Sequence, residues 1–526
     1  MSKTVDADLL AGPSLPSTSP LASEDYVLRA LPPILTTRDL IALFVIILFF
    51  ITNVPNAVAG GTAGMTLWLV GGLLFLIPCG IVTAQLAVMF PHEGSLYSWT
   101  HKAFGGFMSF FVGFCAWVPC SLLILATADL AVSYLQGLNQ KWLTEPWSQG
   151  VVLLGIVLLS FVISLQRHRT VQTIVNMVFW LIMVAAILVF LSGVVWLINL
   201  HPSATNFNHT ADWNPFTGAN IPLFGVITLG YLGVNLPLNM GGELMASNDR
   251  ARRRIITRHL LWGTLIVLVA YLLVTFGVLV VQGQNASFVL FSMVSTVDMA
   301  LGPIAGNVTA ICIIATLVIA SVVYNYTYAR FLLVGGIDQR LPAGMGKLNR
   351  NRVPANAIIF QTILTCILVV LFFIAIPYSG LFLGRPADLA ADVYFVGVGA
   401  ATVVWAFATV FLFIDLLWIY FKDRQALRAR RIVPIPILLI SSVVGMIAGL
   451  LAIVDTILNS YYPPLIPNSV WLYVVTGLTG AFLVVGAIGG MFARSEATWQ
   501  GVEGSFLISE KQRQEESITG KHTSTD

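Results

Sequence analysis

The chain has 526 residues, of which 57% are hydrophobic and only 10% are charged, and its mean hydropathy is +0.87. A soluble globular protein has no use for so much apolar surface, so the composition excludes a soluble protein and predicts a membrane protein. The net charge of +3 says little about partners, because the placement of charge matters more than its sum in such a chain.

Apolar runs long enough to cross a bilayer, about 20 residues each, recur along the whole chain. Twelve such runs, here called spans 1 to 12, lie near residues 39–63, 68–90, 105–137, 150–165, 171–198, 219–245, 260–282, 300–335, 355–376, 391–420, 434–458 and 469–492. They predict an all-α polytopic membrane protein with one transporter domain over 38–492. Polar tails over 1–37 and 493–526 flank it, and the first includes a short surface helix around Tyr26–Leu35.

Lysine and arginine are concentrated in alternate connections between the spans. The other connections contain only Lys141 and Arg385. Because basic residues accumulate on the cytoplasmic side, both tails and the basic connections are predicted to be cytoplasmic. We read the basic clusters as this orientation signal and expect no nucleic-acid partner. The basic residues of the cytoplasmic connections are Lys102, Arg167, Arg169, Arg250, Arg252, Arg253, Arg254, Arg258, Arg340, Lys347, Arg350, Arg352, Lys422, Arg424, Arg428, Arg430 and Arg431.

Two spans contain residues that interrupt a helix. Span 1 contains Thr52-Asn53-Val54-Pro55 followed by Gly60-Gly61, and span 6 contains Gly230, Gly233 and Pro237. Proline removes a backbone donor and glycine relaxes the helix, so both spans are predicted to unwind there. Unwound segments at matched positions of two inverted halves are typical of a midplane binding site. The predicted halves are 39–198 and 219–420, with two additional spans over 434–492.

Several polar side chains fall inside spans. Three carboxylates lie deep in spans: Asp129 in span 3, Asp415 in span 10 and Asp455 in span 11. Because a charged group in a membrane is energetically costly, such residues are candidates for a functional role. Capping of a helix end is the alternative interpretation for Asp129 and Asp415. The five cysteines lie in apolar runs without paired spacing, so we expect neither disulfides nor metal ligands. No pattern of a catalytic site is present, so we do not expect an enzyme.

Two connections carry motifs of a known family. The stretch Tyr324–Pro354 runs from an apolar helix into Arg330, a predicted turn at Gly335–Asp338, Leu341-Pro342 and a basic segment. The stretch Pro91–Gly105 reads Pro-His-Glu-Gly-Ser-Leu-Tyr-Ser-Trp, then Ala-Phe-Gly. Both resemble connections of the amino acid–polyamine–organocation permeases. The resemblance covers about 38–492 and implies a LeuT-like five-plus-five inverted repeat with two C-terminal helices.

Span 6 and the basic connection after it, Asn248–Arg258, also resemble this family. In relatives, the backbone and the aromatic residue of the span 6 break cradle and cover the amino acid. Asn235 departs from the pattern, since many relatives have glutamate there, and span 1 lacks the glycines that relatives carry before the break. The resemblance implies substrate-binding roles for Gly230, Tyr231, Leu232, Gly233 and Val234, and we add the neighbouring Asn235. In span 1, a helix-end anion site at the break predicts that Thr52, Asn53, Val54 and Pro55 bind the substrate. A kinked packing helix is the alternative interpretation of each break.

Coupling to an ion is an open expectation. Sodium-coupled members of the wider fold bind the ion between spans 1 and 8, where Ser321 offers a hydroxyl, and Asp129 offers a carboxylate for ion coupling. The lysine that some proton-coupled relatives use in span 5 is absent from Val171–Gly193. We therefore expect no cofactor, and either H+ or Na+ as the coupling ion.

The expected function is secondary active transport of an amino acid across the plasma membrane, or the inner membrane in a bacterium, by alternating access. A neutral amino acid is favoured, because no basic side chain is expected in the cavity and Asn235 replaces an acid. Asp129 is the main argument against this, since a carboxylate facing the cavity would pair with a cation. The alternatives are an amino acid or amine antiporter, a polyamine or cationic amino acid permease, and a transport-inactive nutrient sensor on the same scaffold.

Overall fold

The computed structural model describes residues 21–139, 141–218, 220–380, 385–461, 463 and 465–492. In this part of the chain, ten helices are long and apolar enough to cross a membrane. They are Thr62–Met89, Gly106–Leu138, Pro146–Ser164, His168–Ile198, Asp249–Val281, Pro303–Ile337, Ala355–Tyr378, Pro386–Lys422, Ile435–Leu458 and Asn468–Met491, which are spans 2–5 and 7–12. The chain is thus an all-α, multi-pass membrane protein.

The two remaining spans are interrupted, which confirms the predicted breaks. Span 1 consists of the helix Thr37–Leu48, a 3-10 turn at Ile51–Asn53 and the short helix Val54–Val58. Span 6 consists of the helix Leu223–Leu229 and the 3-10 helix Leu236–Glu243, joined by turns. These spans open the two halves of the chain, whose relation as inverted repeats stays a prediction.

Span 8 lies at the centre of the bundle. It packs along spans 3, 4 and 5 and contacts both interrupted spans. Span 7 packs against spans 5 and 1, while spans 11 and 12 pack on span 10. Shorter helices complete the described fold: Ala22–Ala30, Ser95–Phe104, Thr210–Trp213, Gly283–Ala286, Ser292–Leu301, Ala343–Gly346 and Arg424–Ala429.

Two predicted connections are helical instead. The segment Asn248–Arg258 is not a loop, because the helix of span 7 begins at Asp249. The Asn248 side chain accepts a hydrogen bond from the Ala251 backbone N–H at 2.8 Å, which caps that helix. The arginines that follow are good helix formers, so the helix includes the basic segment. The change from polar to apolar residues therefore indicates where the membrane begins and does not indicate where the helix begins.

The predicted turn at Gly335–Asp338 is also wrong, because the helix of span 8 continues to Ile337. A Cβ at Gly336 would lie 2.4 Å from the Gly346 backbone nitrogen. These glycines therefore serve close packing of the following connection and do not mark a turn. A glycine turn is found instead at Gly61, which has φ +56°. This residue separates span 1 from span 2, whose helix begins at Thr62.

The N-terminal helix is Ala22–Ala30, displaced from the predicted Tyr26–Leu35, and it does not lie on an open surface. Val27 and Leu31 are 2% and 3% exposed and pack with Leu333 of span 8. After this helix the chain is extended, and Leu35 forms an isolated bridge with Leu244. The segment before span 1 is therefore packed against the end of span 6.

Candidate substrate-binding site

A cavity of about 470 Å³ lies beside both helix breaks. Its walls are mainly apolar and aromatic, with rings contributed by Phe50, Tyr324, Phe373, Tyr394 and Trp405. From the breaks it extends to the predicted external face, where Gln149, Phe288, Ala387 and Leu465 line it. A volume of this size holds a small metabolite between the two interrupted helices.

Side chains from two other spans satisfy the backbone groups that the break in span 1 releases. The Tyr271 hydroxyl donates to the Leu48 carbonyl at 2.8 Å and accepts from the Phe50 N–H at 3.0 Å. The Tyr324 hydroxyl donates to the Ile47 carbonyl at 3.0 Å. Because unsatisfied backbone groups are expensive in a membrane, these tyrosines stabilise the interruption.

The break in span 6 depends on glycine. The chain turns at Gly230–Asn235, where Gly233 has φ +100°, a conformation that L side chains rarely adopt. A Cβ at Gly230 would lie 2.9 Å from the Asn53 Nδ2 atom. The two breaks therefore meet at Gly230 and Asn53, and the absence of a side chain at Gly230 permits that approach.

Three of the predicted substrate-binding residues line the cavity, namely Asn53, Gly230 and Leu232. Val54, Pro55, Gly233 and Val234 are not among its lining residues, and the side chain of Thr52 lies outside the described part of the structure. Both interrupted segments therefore contribute residues to the cavity wall, but most of the predicted residues do not line it.

Tyr231 does not line the cavity in this conformation. It is fully buried, its hydroxyl donates to the Trp68 carbonyl at 3.0 Å, and its ring packs edge-to-face on Trp68 and Tyr271. Trp68 in turn stacks on Tyr271, the residue that satisfies the span 1 break. Tyr231 therefore supports the wall behind the cavity, and the structure does not place it over the cavity as the expected aromatic cover.

Asn235 lies on the other side of the break, toward the predicted cytoplasmic face. Its side chain donates to the Ser95 hydroxyl at 3.3 Å, and that hydroxyl donates to Asn239 at 2.5 Å. Ser95 begins the helix Ser95–Phe104, which lies in the connection between spans 2 and 3. Asn235 is thus part of the packing that closes this side of the protein and does not line the cavity.

Asp129 faces the cavity, near Ser133, Gln149 and Tyr394. No described lysine, arginine or histidine lines the cavity, and Asp129 forms no ion pair or hydrogen bond with another described residue. A carboxylate in this position is available to water, a proton or a ligand. It is the single acidic side chain among the described lining residues.

The other polar residues considered in the sequence analysis form hydrogen bonds within the protein. Ser321 is buried and its hydroxyl donates to the Val318 carbonyl of its own helix at 2.7 Å, so it does not face the cavity here. Asp415 accepts from the Thr100 hydroxyl at 2.7 Å. Asp455 accepts from the backbone N–H of Gly225 at 2.6 Å, in the first turn of the helix Leu223–Leu229 of span 6.

The side opposite the cavity mouth is closed by a buried ion pair. Glu243, at the end of span 6, and Arg330, in span 8, are both fully buried. The Glu243 Oε1 atom lies 3.0 Å from Arg330 Nε and 2.9 Å from Nη2, and its other carboxylate oxygen contacts His168 Nδ1. The Arg330 guanidinium also lies over the Tyr326 ring, 4.2 Å from its centroid.

Sequence reasoning missed this cluster, which we call the inner gate: Glu243, Arg330, His168 and the neighbouring Glu93. One signal was available, because Arg330 follows an apolar run and a charge there requires a partner. The identity of the partner was not readable, since Glu243 lies 87 positions away along the chain.

The N-terminal segment covers the inner gate. The backbone N–H groups of Ile34 and Leu35 donate to the Glu243 carbonyl at 2.9 and 3.0 Å. Glu24 lies 2.6 Å from the Lys102 ammonium, and Ser23 donates to Asp338 through both its backbone and its hydroxyl. This side of the protein is therefore packed, whereas the cavity extends toward the opposite side.

Comparison with known proteins agrees with this architecture. The chain is 26% identical to the branched-chain amino acid permease BcaP of Lactococcus lactis over 355 residues, covering 62% of this chain and 73% of BcaP. It is 26% identical to the serine/threonine exchanger SteT of Bacillus subtilis, covering 50% of this chain and 58% of SteT. It is also 26% identical to a probable agmatine/putrescine antiporter, AguD, of Lactococcus lactis, covering 50% and 55%.

The profile of one family matches most of the sequence. That family is described as amino acid permease, and the match covers residues 35–484, from the extended segment before span 1 into span 12. The match includes both interrupted spans, the cavity and the inner gate. The chain therefore belongs to the amino acid permease family.

Proposed function

We propose that this protein is a secondary active transporter that moves a neutral amino acid across the plasma membrane by alternating access. The observation that carries the proposal is the meeting of the two helix breaks, at Asn53 and Gly230, on the wall of one cavity. Helix ends and unwound backbone carry partial charges of both signs. A zwitterion can place its ammonium and carboxylate groups against them without a charged side chain.

The cavity wall favours an uncharged substrate side chain. Its surface is mainly apolar, and no described basic side chain lines it. Burying an acidic substrate side chain there would leave the negative charge without a partner, which is unfavourable. A small or medium neutral side chain instead gains contact with rings such as Phe50, Tyr324 and Trp405.

The distribution of charge supports the orientation in the membrane. Basic residues cluster at the ends of the spans that carry the inner gate, whereas the end where the cavity reaches the surface has Lys141 and Arg385. The positive-inside rule then places both termini and the inner gate in the cytoplasm, and the cavity mouth outside. In this orientation the described conformation receives substrate from outside.

A thermal-shift screen tests the proposal. Purified protein is heated with each common amino acid and amine, with and without sodium and at two pH values. A ligand that binds the folded state at 100 times its Kd stabilises it by about 2.7 kcal/mol, so a neutral amino acid should raise the unfolding midpoint. Counterflow of that amino acid into proteoliposomes then separates a transporter from a transport-inactive sensor. The absence of a shift with every neutral amino acid would contradict the proposal.

One observation favours a second function, the transport of a cationic amino acid or a diamine. Asp129 presents an unpaired carboxylate to the cavity, and such a group attracts a cation. A cationic substrate would place its second amino group there, while its other groups contact the breaks. The likeness to a probable agmatine/putrescine antiporter is compatible with this function.

Competition against a bound neutral amino acid distinguishes the two functions. We expect lysine, arginine and putrescine to compete at least about tenfold more weakly than neutral amino acids, because the second charge must be desolvated, a cost of about 1.4 kcal/mol or more. Asp129→Asn should leave neutral binding within about twofold, with Ser133→Ala as the control on the same helix. Strong displacement by the cations that is lost in Asp129→Asn would establish the second function in place of the first.

A further inference from the structure

Glu93 is a buried acid in the connection between spans 2 and 3, and it is 3% exposed. Its turn is fixed against the end of span 6, because the Gly94 N–H donates to the Asn239 carbonyl at 3.0 Å. A Cβ at Gly242 would lie 3.3 Å from the Glu93 Oε1 atom. The carboxyl group therefore faces the backbone beside Glu243, inside the closed gate.

The inner gate contains two carboxyl groups and one guanidinium. Arg330 contacts Glu243 through Nε and Nη2, so its charge already balances Glu243. His168 contacts Glu243 through Nδ1, and its Nε2 atom is buried without a hydrogen-bond partner. A proton on Nε2 would be a buried donor without an acceptor.

An ionised Glu93 would place a second buried carboxylate beside Glu243 and the single Arg330 guanidinium. Both of its carboxylate oxygens are buried, and neither accepts a well-formed hydrogen bond. Burial raises the pKa of Glu93 well above its usual value, and the nearby Glu243 charge raises it further, while Arg330 and the Gly242 backbone act in the opposite direction. Protonation of Glu93 removes the repulsion between its carboxylate and that of Glu243 in the closed gate.

We propose that Glu93 is a proton-binding site of the inner gate, which holds a proton while the gate is closed and releases it to the cytoplasm when the gate opens. This site concerns the conformational equilibrium and is independent of which substrate occupies the cavity. Opening exposes Glu93 to water, where a glutamate has its ordinary pKa of about 4.3. Gate opening and proton release are then linked.

The direction of the pH effect follows from that linkage. At a pH between the ordinary and the raised value, the closed state binds one more proton than the open state, so raising the pH favours opening by up to about tenfold per unit. Below the ordinary value both states are protonated and the dependence vanishes. Acidification of the cytoplasm therefore holds the carrier outward-facing.

Other titratable groups lie around the same gate and need controls. Asp338 is buried under the N-terminal helix, and burial raises its pKa to about 6. It differs from Glu93 because it accepts hydrogen bonds from the Ser23 backbone N–H at 2.9 Å and from the Tyr97 hydroxyl at 3.1 Å. Glu24 contacts Lys102 and His92, and Tyr326 packs against Arg330.

Infrared difference spectroscopy on the full chain tests the protonation directly. Wild-type protein at neutral pH should show a carbonyl band of a protonated carboxylic acid that is missing in Glu93→Gln and shifted in Glu93→Asp. The aspartate variant keeps the test decisive if the glutamine variant does not fold. Glu145→Gln, which alters a carboxylate on the opposite face, should leave the band unchanged. A spectrum of Glu93→Gln identical to the wild type would overturn the proposal.

Hydrogen exchange tests the link to gate opening. Protection of residues 91–104 and 236–244 is measured from pH 5.5 to pH 8 and corrected for the intrinsic effect of pH on amide exchange. We expect the wild-type gate to lose protection as the pH rises, and Glu93→Gln to remove that dependence while Asp338→Asn retains it. A dependence that survives in Glu93→Gln, or that disappears only in Asp338→Asn, would assign the proton to another group and refute the proposal.

Discussion

Arg330→Met is expected to destabilise the protein by about 3–5 kcal/mol, because it leaves the Glu243 carboxylate buried without its counter-charge. Both side chains are fully buried, and Arg330 Nε lies 3.0 Å from Glu243 Oε1. The remaining contact of Glu243, with His168, does not replace a permanent positive charge. The measurement is the unfolding midpoint of purified protein in detergent, together with the yield of folded protein.

A second substitution separates loss of charge balance from loss of packing. Glu243→Gln in the Arg330→Met background removes the uncompensated charge, so the double variant should be more stable than Arg330→Met alone. Arg385→Met provides the matched control, because Arg385 pairs with Asp388 at 3.7 Å on an exposed helix end. That surface pair contributes less than about 1 kcal/mol. Equal midpoints for Arg330→Met and the wild type would show that the buried pair does not stabilise the gate.

Gly233→Ala is expected to lower transport about tenfold or more, and stability with it. Gly233 has φ +100°, and a Cβ there would lie 2.8 Å from Ile47 Cγ2 and 3.1 Å from the Trp405 ring. Trp405 and Ile47 both line the cavity, so relief of the clash moves its wall. A shift of about 1 Å in a binding site is enough to cost this much activity. Counterflow in proteoliposomes at matched protein content measures the effect.

Gly302→Ala is the control for backbone strain alone. Gly302 has φ +87°, but a Cβ there has no atom within 4 Å. With ψ 167° as well, this conformation is almost exclusive to glycine, so alanine there costs roughly 1–3 kcal/mol and should leave transport unchanged. If Gly233→Ala and Gly302→Ala behave alike, backbone conformation explains the effect and contact with the cavity wall does not.

The sequence was sufficient to locate the two helix interruptions beside which the cavity lies. Proline and glycine act on the backbone within a turn of their own position, so Pro55, Gly230 and Gly233 were sufficient to predict both interruptions. The segment boundaries were less certain, because hydropathy reports contact with lipid and not the end of a helix. The helix that begins at Asp249, within a basic segment, illustrates the difference.

The side chains of the site required the fold. Tyr231 lies next to Gly230 and Leu232, yet it packs against Trp68 while its neighbours line the cavity. The direction of a side chain in unwound backbone follows from local dihedral angles and from its neighbours, so residue order does not predict it. Family likeness placed Tyr231 over a substrate, and the described conformation places it behind the wall.

The sequence by itself determined the membrane class, the twelve spans and the two breaks, because apolar length, proline and glycine act locally. Only the tertiary structure decided that Asp129 faces the cavity and that Glu243, Arg330 and Glu93 meet in one gate. Charges buried in a bundle must find partners wherever packing places them, and Glu243 and Arg330 are 87 positions apart. Such contacts depend on how helices pack, which no local pattern of residues records.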